Sequence, residues 1–348
     1  MATEETRFKG IKERHKAALF QKANVVGVGI GFKETRAKRT EQLSVVVLVK
    51  QKLPSGQLRP EDLVPPEIEG VPTDVWEVGE LWALQDRRGL WRPAPGGVSI
   101  GHFAITAGTL GTLVRDRQSG ELLILSNNHV LANSNDAQVG DSILQPGPHD
   151  IANFLHQNPD DPRFRIATLE RFVPISFSTD VPTCDLARAA ADVANAIAGA
   201  LGSAHRLMAY RVDLAASNEV DAAVARPLDP SALERDILGV GGVLGNGIEE
   251  AALGDAVEKS GRTTGHTTGT VDLIGVTVSV NYGAFPNIRI ARFENQILTG
   301  PISQGGDSGS LVVDRATKKA VGLLFAGSDK ATILNPIPRV LDLLDIEI

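Results

Sequence analysis

Residues 304–311 read QGGDSGSL, and this stretch decides how the rest of the chain is interpreted. Glycines around a serine permit backbone angles that other residues resist, and they let a substrate approach the main chain closely. Such a turn can expose the Ser308 hydroxyl and aim the amides of Gly306 and Ser308 at one point, where they would stabilise an oxyanion. A serine nucleophile needs a base, and the base needs a group that orients it. We therefore expect a histidine and an aspartate elsewhere in the chain to complete the site.

His129 is the candidate base among the seven histidines of the chain. The apolar run at 122–125 predicts a strand that leads into SNNHVLA, so His129 would stand at a strand end, where an imidazole can face a cleft. Because a lone histidine is more often a capping or core group, that interpretation of His129 stays open. The other six lie on a charged helix, after the alanine-rich helix or in polar turns, which favours exposed or structural positions: His15, His102, His149, His156, His205 and His266.

Asp221 is the candidate orienter of that base. It is preceded by Val220 and followed by Ala-Ala-Val-Ala, and a charge at the head of an apolar strand is costly unless it has a partner. A carboxylate buried beside the imidazole would hold its tautomer and stabilise the imidazolium. Asp213 has a similar setting and is the alternative. No metal and no cofactor are expected, since the histidines lack ligand-type spacing with carboxylates or cysteines.

The order His129, Asp221, Ser308 resembles the order of the catalytic triad in chymotrypsin- and trypsin-like serine proteases. Three further stretches carry the resemblance. KSGRTTGHTTG at 259–269 is similar to a stretch of bacterial streptogrisin-like members, and AVGLLFAGS at 320–328 resembles the strand that lines the specificity pocket. NVVGVGIG…VVVLV, near the N-terminus, is similar to a block in narrow-leaf-type trypsin-like proteins. Asn128 and Ser310 replace the alanine and the glycine that are usual in the family, and neither change removes a catalytic group.

The resemblance implies a mainly β fold. The expected architecture is a chymotrypsin-like double antiparallel β-barrel with an inserted helix, preceded by a small α+β N-terminal domain. The implied activity is that of a serine endopeptidase acting on proteins or peptides through an acyl-enzyme. Ser308 would attack the peptide carbonyl, His129 would transfer the proton and Asp221 would hold His129, while the amides of Gly306 and Ser308 would form the oxyanion hole. The alternative is a catalytically silent scaffold, a pseudoprotease that serves as a protein-binding module.

The resemblance also implies a supporting ion pair and a substrate pocket. In streptogrisin-like relatives an arginine pairs with the aspartate before the serine; the matching residues here are Lys259 and Asp307, so we expect these two to pair. The residues expected to line the pocket are Ile302, Phe325, Ala326 and Gly327. With Ile302 at the base instead of an aspartate, the pocket predicts an apolar or small residue before the scissile bond and argues against Arg or Lys.

The spacing of apolar residues and turns predicts two domains. Residues 1–90, with a helix at 5–22 and strands at 25–32 and 43–49, indicate a small α+β domain. Residues 91–348 would form the protease domain, with a first barrel at about 97–230, a second at about 235–348, and an alanine-rich helix at 183–203 inserted among the strands. Strands of this domain are predicted at 107–115, 121–125, 166–175, 209–214, 220–225, 257–259, 269–280, 288–293, 310–314 and 320–326.

The stretch 86–97 has the arginine and proline content of a linker. Within it, Arg87-Arg88 is a candidate processing site, although exposed arginines in linkers are usually inert. The N-terminal domain has two interpretations, a built-in inhibitor or pro-segment, or a module that docks a regulatory partner. An intracellular protease needs restraint, which favours a regulatory role.

Composition limits the classes of protein to consider. The formal net charge of −7 argues against nucleic acid or an anionic membrane as the main partner. No stretch has the apolar length of a membrane span, and the N-terminus lacks the features of a secretory signal. A single cysteine, Cys184, excludes an internal disulfide framework and indicates a reducing compartment, so we expect a cytoplasmic protein. Cys184 itself is expected to be a small, buried or half-buried residue.

Overall fold

The computed structural model describes residues 2–35, 38–79, 86–152, 158–180, 184–283 and 288–348. The chain divides into two compact units, Met1–Gln85 and Asp86–Ile348. Within the described ranges, no helix combines the length and the apolar character needed to cross a bilayer.

The first unit is a helix packed on a mixed sheet. It contains α1 (Ala2–Phe20), β1 (Val25–Thr35), β2 (Lys38–Val49), β3 (Glu67–Ile68) and β4 (Val71–Glu77). The strand order is β1-β2-β4-β3, with β1 antiparallel and β4 parallel to β2. Phe8, Ile11 and Leu19 of α1 are buried against Val45 and Val47 of β2. The small α+β domain predicted at the N-terminus is therefore confirmed in its fold class.

The second unit is built mainly of short strands. In chain order they are β5 (Ala94–Gly96), β6 (Ser99–His102), β7 (Gly108–Thr109), β8 (Thr112–Asp116), β9 (Leu122–Ser126), β10 (Ser142–Leu144), β11 (Arg165–Phe172), β12 (Thr179–Asp180), β13 (Arg211–Val212), β14 (Ala223–Pro227), β15 (Leu233–Ile237), β16 (Gly241–Gly242), β17 (Ala256–Gly261), β18 (Gly265–Asn281), β19 (Ile290–Thr299), β20 (Leu311–Asp314), β21 (Ala320–Gly327), β22 (Thr332–Pro336) and β23 (Ile346–Glu347). The helices are α2 (Asn128–Leu131), α3 (Asp185–Ala200) and α4 (Ile337–Leu344). Short 3-10 turns of this unit lie at Asn133–Asn135, Pro148–Asp150 and Pro230–Ala232, and the first unit has two, at Ser55–Gln57 and Pro60–Asp62.

These strands form two barrel-like antiparallel sheets. Across the described residues, the first sheet has the order β23-β8-β9-β14-β11-β10-β6-β7, and the second has the order β13-β12-β19-β18-β17-β20-β21-β22. A further pairing of β19 with β22 closes β17 to β22 into a ring. A small sheet, β16-β15-β5, lies beside them. With α3 inserted between β12 and β13, this confirms the predicted chymotrypsin-like double barrel.

Continuous apolar runs in the central strands have a simple cause. Side chains alternate between the two faces of a strand. Along β14, Ala223 and Ala225 face the core of the first barrel, whereas Val224 faces a cluster that both barrels share. Leu311 and Leu323 of the second barrel belong to the same shared cluster. Because both faces of β14 are buried, its sequence has no polar alternation.

Two crossings exchange strands between the barrels. β12 and β13, which flank α3, pair into the second sheet although they precede the predicted second barrel. After α4, the chain returns to the first sheet as β23, which pairs with β8. The C-terminal residues therefore fasten the second barrel to the first.

Large apolar side chains of the inserted helix, α3, are exposed to solvent. Leu186 and Ile197 of α3 are 78% and 57% exposed, respectively. Cys184, which immediately precedes α3, is also exposed. The expectation of a buried or half-buried cysteine is therefore wrong, because the helix it caps does not pack into the core.

Burial predicts a sharp contrast between two leucines of this unit. Leu125→Ala, at a site that is 0% exposed, should destabilise the protein by about 2–5 kcal/mol through lost contacts and a cavity. Leu186→Ala, on the exposed face of α3, should change stability by less than about 0.5 kcal/mol. Urea denaturation followed by circular dichroism measures both. Equal shifts of the two midpoints would contradict the burial pattern.

Candidate active site

Strand pairing places His129 beside Asp221. β9 ends at Ser126 directly opposite Ala223 of β14, so the residues that follow one strand meet those that precede the other. His129 Nδ1 lies 2.6 Å from Asp221 Oδ2, and the His129 amide donates to Asp221 Oδ1 at 3.2 Å. The carboxylate is 0% exposed and the imidazole is 23% exposed. With Nδ1 committed to the carboxylate, Nε2 is the ring nitrogen left to act as a base.

The backbone of Asp221 is held by two buried asparagines. Asn335 Oδ1 accepts from the Asp221 amide at 3.0 Å, and Asn335 Nδ2 donates to the Asp221 carbonyl at 3.0 Å. Asn127 Nδ2 donates to the same carbonyl at 2.7 Å. Sequence reasoning missed both residues, although an asparagine inside the apolar strand β22 is a signal. Asp213, the alternative orienter, is exposed and accepts from the Ala215 amide at 3.0 Å.

The turn that carries Ser308 is fastened to the first barrel. The Thr109 amide donates to the Ser308 carbonyl at 2.8 Å, and Thr109 Oγ1 donates to the Gly306 carbonyl at 2.9 Å. Next to it, a Cβ added at Gly108 would lie 2.4 Å from Val130 Cγ2 and 3.0 Å from the Ser308 carbonyl oxygen. Only glycine therefore allows the residue after His129 and the serine turn to approach this closely.

The Ser308 hydroxyl is directed to the main chain of β21. It donates to the Phe325 carbonyl at 3.3 Å. Within the described ranges no hydrogen bond joins it to His129. The structure thus brings His129 and Asp221 into contact and holds the serine turn against β7 of the same barrel. It leaves the serine–histidine hydrogen bond unmade.

The two amides expected to form the oxyanion hole have no acceptor in the described part of the chain. The amides on either side of Ser308 are used, since Asp307 N donates to Gln304 O and Gly309 N donates to Leu324 O. Gly306 adopts φ 96°, a conformation that favours glycine. The amides of Gly306 and Ser308 are therefore available to a ligand.

A buried ion pair between Lys259 and Asp307 supports the turn that carries Ser308. Lys259 Nζ lies 3.0 Å from Asp307 Oδ2, and both side chains are 0% exposed. Asp307 also accepts from the Thr264 hydroxyl at 2.6 Å and from the Thr263 and Thr264 amides at 2.8 and 3.1 Å. Lys259, Thr263 and Thr264 all belong to the KSGRTTG stretch. That stretch therefore supplies the donors that bind the carboxylate of Asp307, the residue before Ser308.

Electrostatics keep the Asp307 carboxylate of this pair ionised. Burial alone would raise the pKa of Asp307, but the Lys259 ammonium, the Thr264 hydroxyl and the backbone amides together hold that pKa below its ordinary value. Burial lowers the pKa of Lys259 against the opposing attraction of Asp307. The carboxylate is charged at neutral pH and needs its partner.

The two residues that depart from the family pattern have structural partners. Ser310 Oγ donates to the Asp307 carbonyl at 2.6 Å. Asn128 Nδ2 donates to the Val173 carbonyl at 2.8 Å and to Asn135 Oδ1 at 2.8 Å. Both side chains stabilise local backbone, which an alanine or a glycine could not do.

A cavity of about 750 Å³ opens beside Ser308. Of the four residues expected to line it, Ala326 and Gly327 do so, together with Ser303, Gln304 and Asp329. Ile302 and Phe325 are not among the residues that line it, and their side chains are buried in hydrophobic clusters. In the part of the chain that the structure describes, no group of His, Cys, Asp and Glu side chains is placed to hold a metal ion.

Comparisons with known proteins give similarity to solved structures alone: no family model and no curated protein matches the chain. Nocardiopsis protease (NAPase) is 16% identical, with a TM-score of 0.42 over 73% of this chain and 98% of that one. Thermobifida fusca protease A is 17% identical, with a TM-score of 0.44 over 73% and 98%. Cellulomonas bogoriensis chymotrypsin is 17% identical, with a TM-score of 0.42 over 73% and 97%. Likeness of this extent does not decide what the site does, which has to be argued from its side chains.

Removing Lys259 should cost both stability and the shape of the serine turn. Lys259→Met leaves Asp307 buried and unpaired, which should destabilise the protein by about 3–5 kcal/mol in urea denaturation. The double variant Lys259→Met/Asp307→Asn should recover part of that loss, because it also removes the orphaned charge. Lys9→Ala, at an exposed lysine of α1, is the control.

The same substitution should slow the reaction of Ser308 with a fluorophosphonate, measured where the variant is still folded. Wild-type reactivity and stability in Lys259→Met would contradict the role of the ion pair.

Proposed function

We propose that the chain is a serine endopeptidase that hydrolyses peptide bonds through His129, Asp221 and Ser308. The observation that carries this proposal is the 2.6 Å hydrogen bond between His129 Nδ1 and the fully buried Asp221 carboxylate. A histidine whose Nδ1 is bound to a buried carboxylate, together with a serine whose turn is held against the same barrel, is the arrangement that acyl transfer requires. The likeness to solved proteases adds no weight to this argument.

The reaction would proceed in two halves. Ser308 Oγ turns from the Phe325 carbonyl towards His129, whose Nε2 takes the hydroxyl proton as the oxygen attacks the peptide carbonyl. The amides of Gly306 and Ser308, which have no other acceptor among the described residues, stabilise the negative oxygen. The imidazolium then protonates the leaving amine, and water repeats the sequence on the acyl-enzyme. Asp221 holds the imidazole through Nδ1 and stabilises the imidazolium.

One observation favours a second candidate, a catalytically silent scaffold that binds proteins in its cleft. The Ser308 hydroxyl donates to the Phe325 carbonyl and not to His129. Apo active sites often have long or poorly aligned catalytic hydrogen bonds that tighten when substrate binds. A 3.3 Å contact of a freely rotating hydroxyl is weak and easily exchanged, so we favour the enzyme.

We also propose the setting and the partners of this activity. The single cysteine, Cys184, is exposed and fits a reducing cytoplasm, where it would remain a thiol. Proteins or peptides are the proposed substrates. The first unit, Met1–Gln85, is the proposed regulatory or docking module.

Covalent labelling separates the two candidates. A fluorophosphonate should label the wild-type chain and leave Ser308→Ala unlabelled, because the nucleophile is absent. His129→Ala should react at least about 10³-fold more slowly, since the base is lost. Ser217→Ala, at an exposed serine, should label like wild type. Folded wild-type protein that resists labelling would favour the scaffold.

The cavity beside Ser308 predicts which substrates are rejected. Asp329 is the one charged side chain among the described residues that line it. An acidic residue before the scissile bond would face that carboxylate, so peptides with Glu at this position should be cleaved more slowly than matched peptides with Ala or Leu. Asp329→Asn should reduce the discrimination by about two- to five-fold, and salt should weaken it as expected for an exposed charge.

A peptide series that differs only at this position measures the effect, with Asp185→Asn on α3 as the control. Preferential cleavage after Glu would contradict the assignment of this cavity as the substrate pocket.

A further inference from the structure

A tyrosine from the second barrel reaches the carboxylate that holds the histidine. Tyr282 OH donates to Asp221 Oδ2 at 2.8 Å. The same oxygen lies 2.6 Å from His129 Nδ1. Within the described ranges, no other side-chain hydroxyl donates to this carboxylate. The Tyr282 hydroxyl and the imidazole thus share one buried acceptor atom.

The tyrosine is held rigidly enough to aim its hydroxyl. Tyr282 immediately follows β18, and its amide donates to the Arg289 carbonyl at 2.8 Å. Its ring packs edge-on against Phe177, with centroids 5.8 Å apart, and lies 6.1 Å from the ring of Phe293. It also meets the His129 ring in a T-shaped contact at 5.8 Å. Packing of this kind restricts the ring to one orientation.

The hydroxyl can only donate to Asp221, because it remains a neutral phenol. Burial and the adjacent Asp221 carboxylate raise the pKa of Tyr282 well above its ordinary value. A phenylalanine would fill the same aromatic cluster without the cost of burying a hydroxyl. The hydroxyl is therefore explained by its acceptor, not by the packing of the ring.

We propose that Tyr282 is a positioning residue for the proposed protease reaction, which fixes the Asp221 carboxylate from the side of the second barrel. His129 Nδ1 and the His129 amide approach this carboxylate from the first barrel, at Oδ2 and Oδ1, respectively. The phenol supplies a third contact from the opposite barrel. Together these contacts hold the Asp221 carboxylate in one orientation, and the carboxylate in turn orients the imidazole of His129. The inference rests on the proposed function and names a residue that no motif in the sequence indicates.

The hydroxyl also adjusts the charge that His129 experiences. A donor on Oδ2 withdraws negative charge from the carboxylate, so its loss should stabilise the protonated imidazole. Arg289, whose carbonyl accepts from the Tyr282 amide, contacts Asp136 at 2.9 Å and Asp180 at 3.1 Å. Arg289 also stacks over the Phe177 ring at 4.1 Å. These pairs stay unchanged when the phenol oxygen alone is removed.

The chain offers a matched test, because it has two tyrosines, Tyr282 and Tyr210. Tyr282→Phe and Tyr210→Phe each remove one hydroxyl and keep the ring. The rate of Ser308 labelling by a fluorophosphonate is measured from pH 5 to 9 for wild type and both variants. For Tyr282→Phe we expect labelling to slow by about ten-fold. We also expect the low-pH limb of its plot of labelling rate against pH to shift to higher pH, by about half a unit or more. Tyr210→Phe should match wild type.

Two results would overturn the inference, and a third would overturn the proposed function instead. An unchanged rate and an unchanged acid limb in Tyr282→Phe would overturn the inference. A slower rate with an unmoved acid limb would also overturn it, because a purely structural role predicts that outcome. If the wild-type protein is not labelled at all, the proposed function fails. In that case the Nδ1 proton resonance of His129 still tests the inference: a shift in Tyr282→Phe supports the contact, and no shift refutes it.

Discussion

The buried ion pair between Lys259 and Asp307 is the interaction on which the site depends. A carboxylate without solvent exposure must find enough donors to replace water, and Asp307 finds them in Lys259 and in the Thr263–Thr264 turn. Because Asp307 immediately precedes Ser308, satisfying its carboxylate fixes the backbone of the serine turn. The amides of Gly306 and Ser308 stay free of internal acceptors in the described structure because the turn is held through this neighbouring side chain. Lys259 of the same chain supplies the positive charge that faces this carboxylate.

The second requirement is that two barrels meet in one register. A hydrophobic cluster with residues from both sheets, such as Leu125 and Leu311, holds the two barrels together without fixing their relative orientation. Polar contacts between the barrels fix that orientation. Thr109 of the first barrel bonds the serine turn, and Arg262 of the second barrel pairs with the buried Asp150 of the first at 2.6 Å. Tyr282 adds a contact at the centre. Buried polar contacts of this kind are costly when misaligned, so they select one arrangement among many that would bury the same apolar area.

The sequence allowed much of this site to be predicted, and physical reasons explain the remainder. The sequences around His129, Asp221 and Ser308 are local patterns that indicate a base, an orienting carboxylate and a nucleophile. The residues that bind the Asp307 carboxylate lie in one continuous stretch, KSGRTTG. Tyr282 and Asn335 act through tertiary contacts across 61 and 114 residues, and their sequence neighbours carry no such pattern. Phe325 was expected in the pocket, but its ring packs with that of Phe293, 4.8 Å away, in a buried cluster, and this tertiary contact leaves no signal in the local sequence. The helix α4 went unpredicted although Pro336, Pro338 and the spacing of Ile337, Val340 and Leu341 indicate a short amphipathic helix.

A crystal structure of the chain with a peptide boronic acid tests the central claim most directly, because boron mimics the tetrahedral intermediate. The account predicts a covalent bond from boron to Ser308 Oγ and one boronate oxygen about 2.7–3.1 Å from the amides of Gly306 and Ser308. His129 Nε2 would lie within hydrogen-bond distance of the adduct while Nδ1 keeps its contact with Asp221. A boronate that binds without bonding to Ser308, or an adduct whose oxygen points away from both amides, would contradict it.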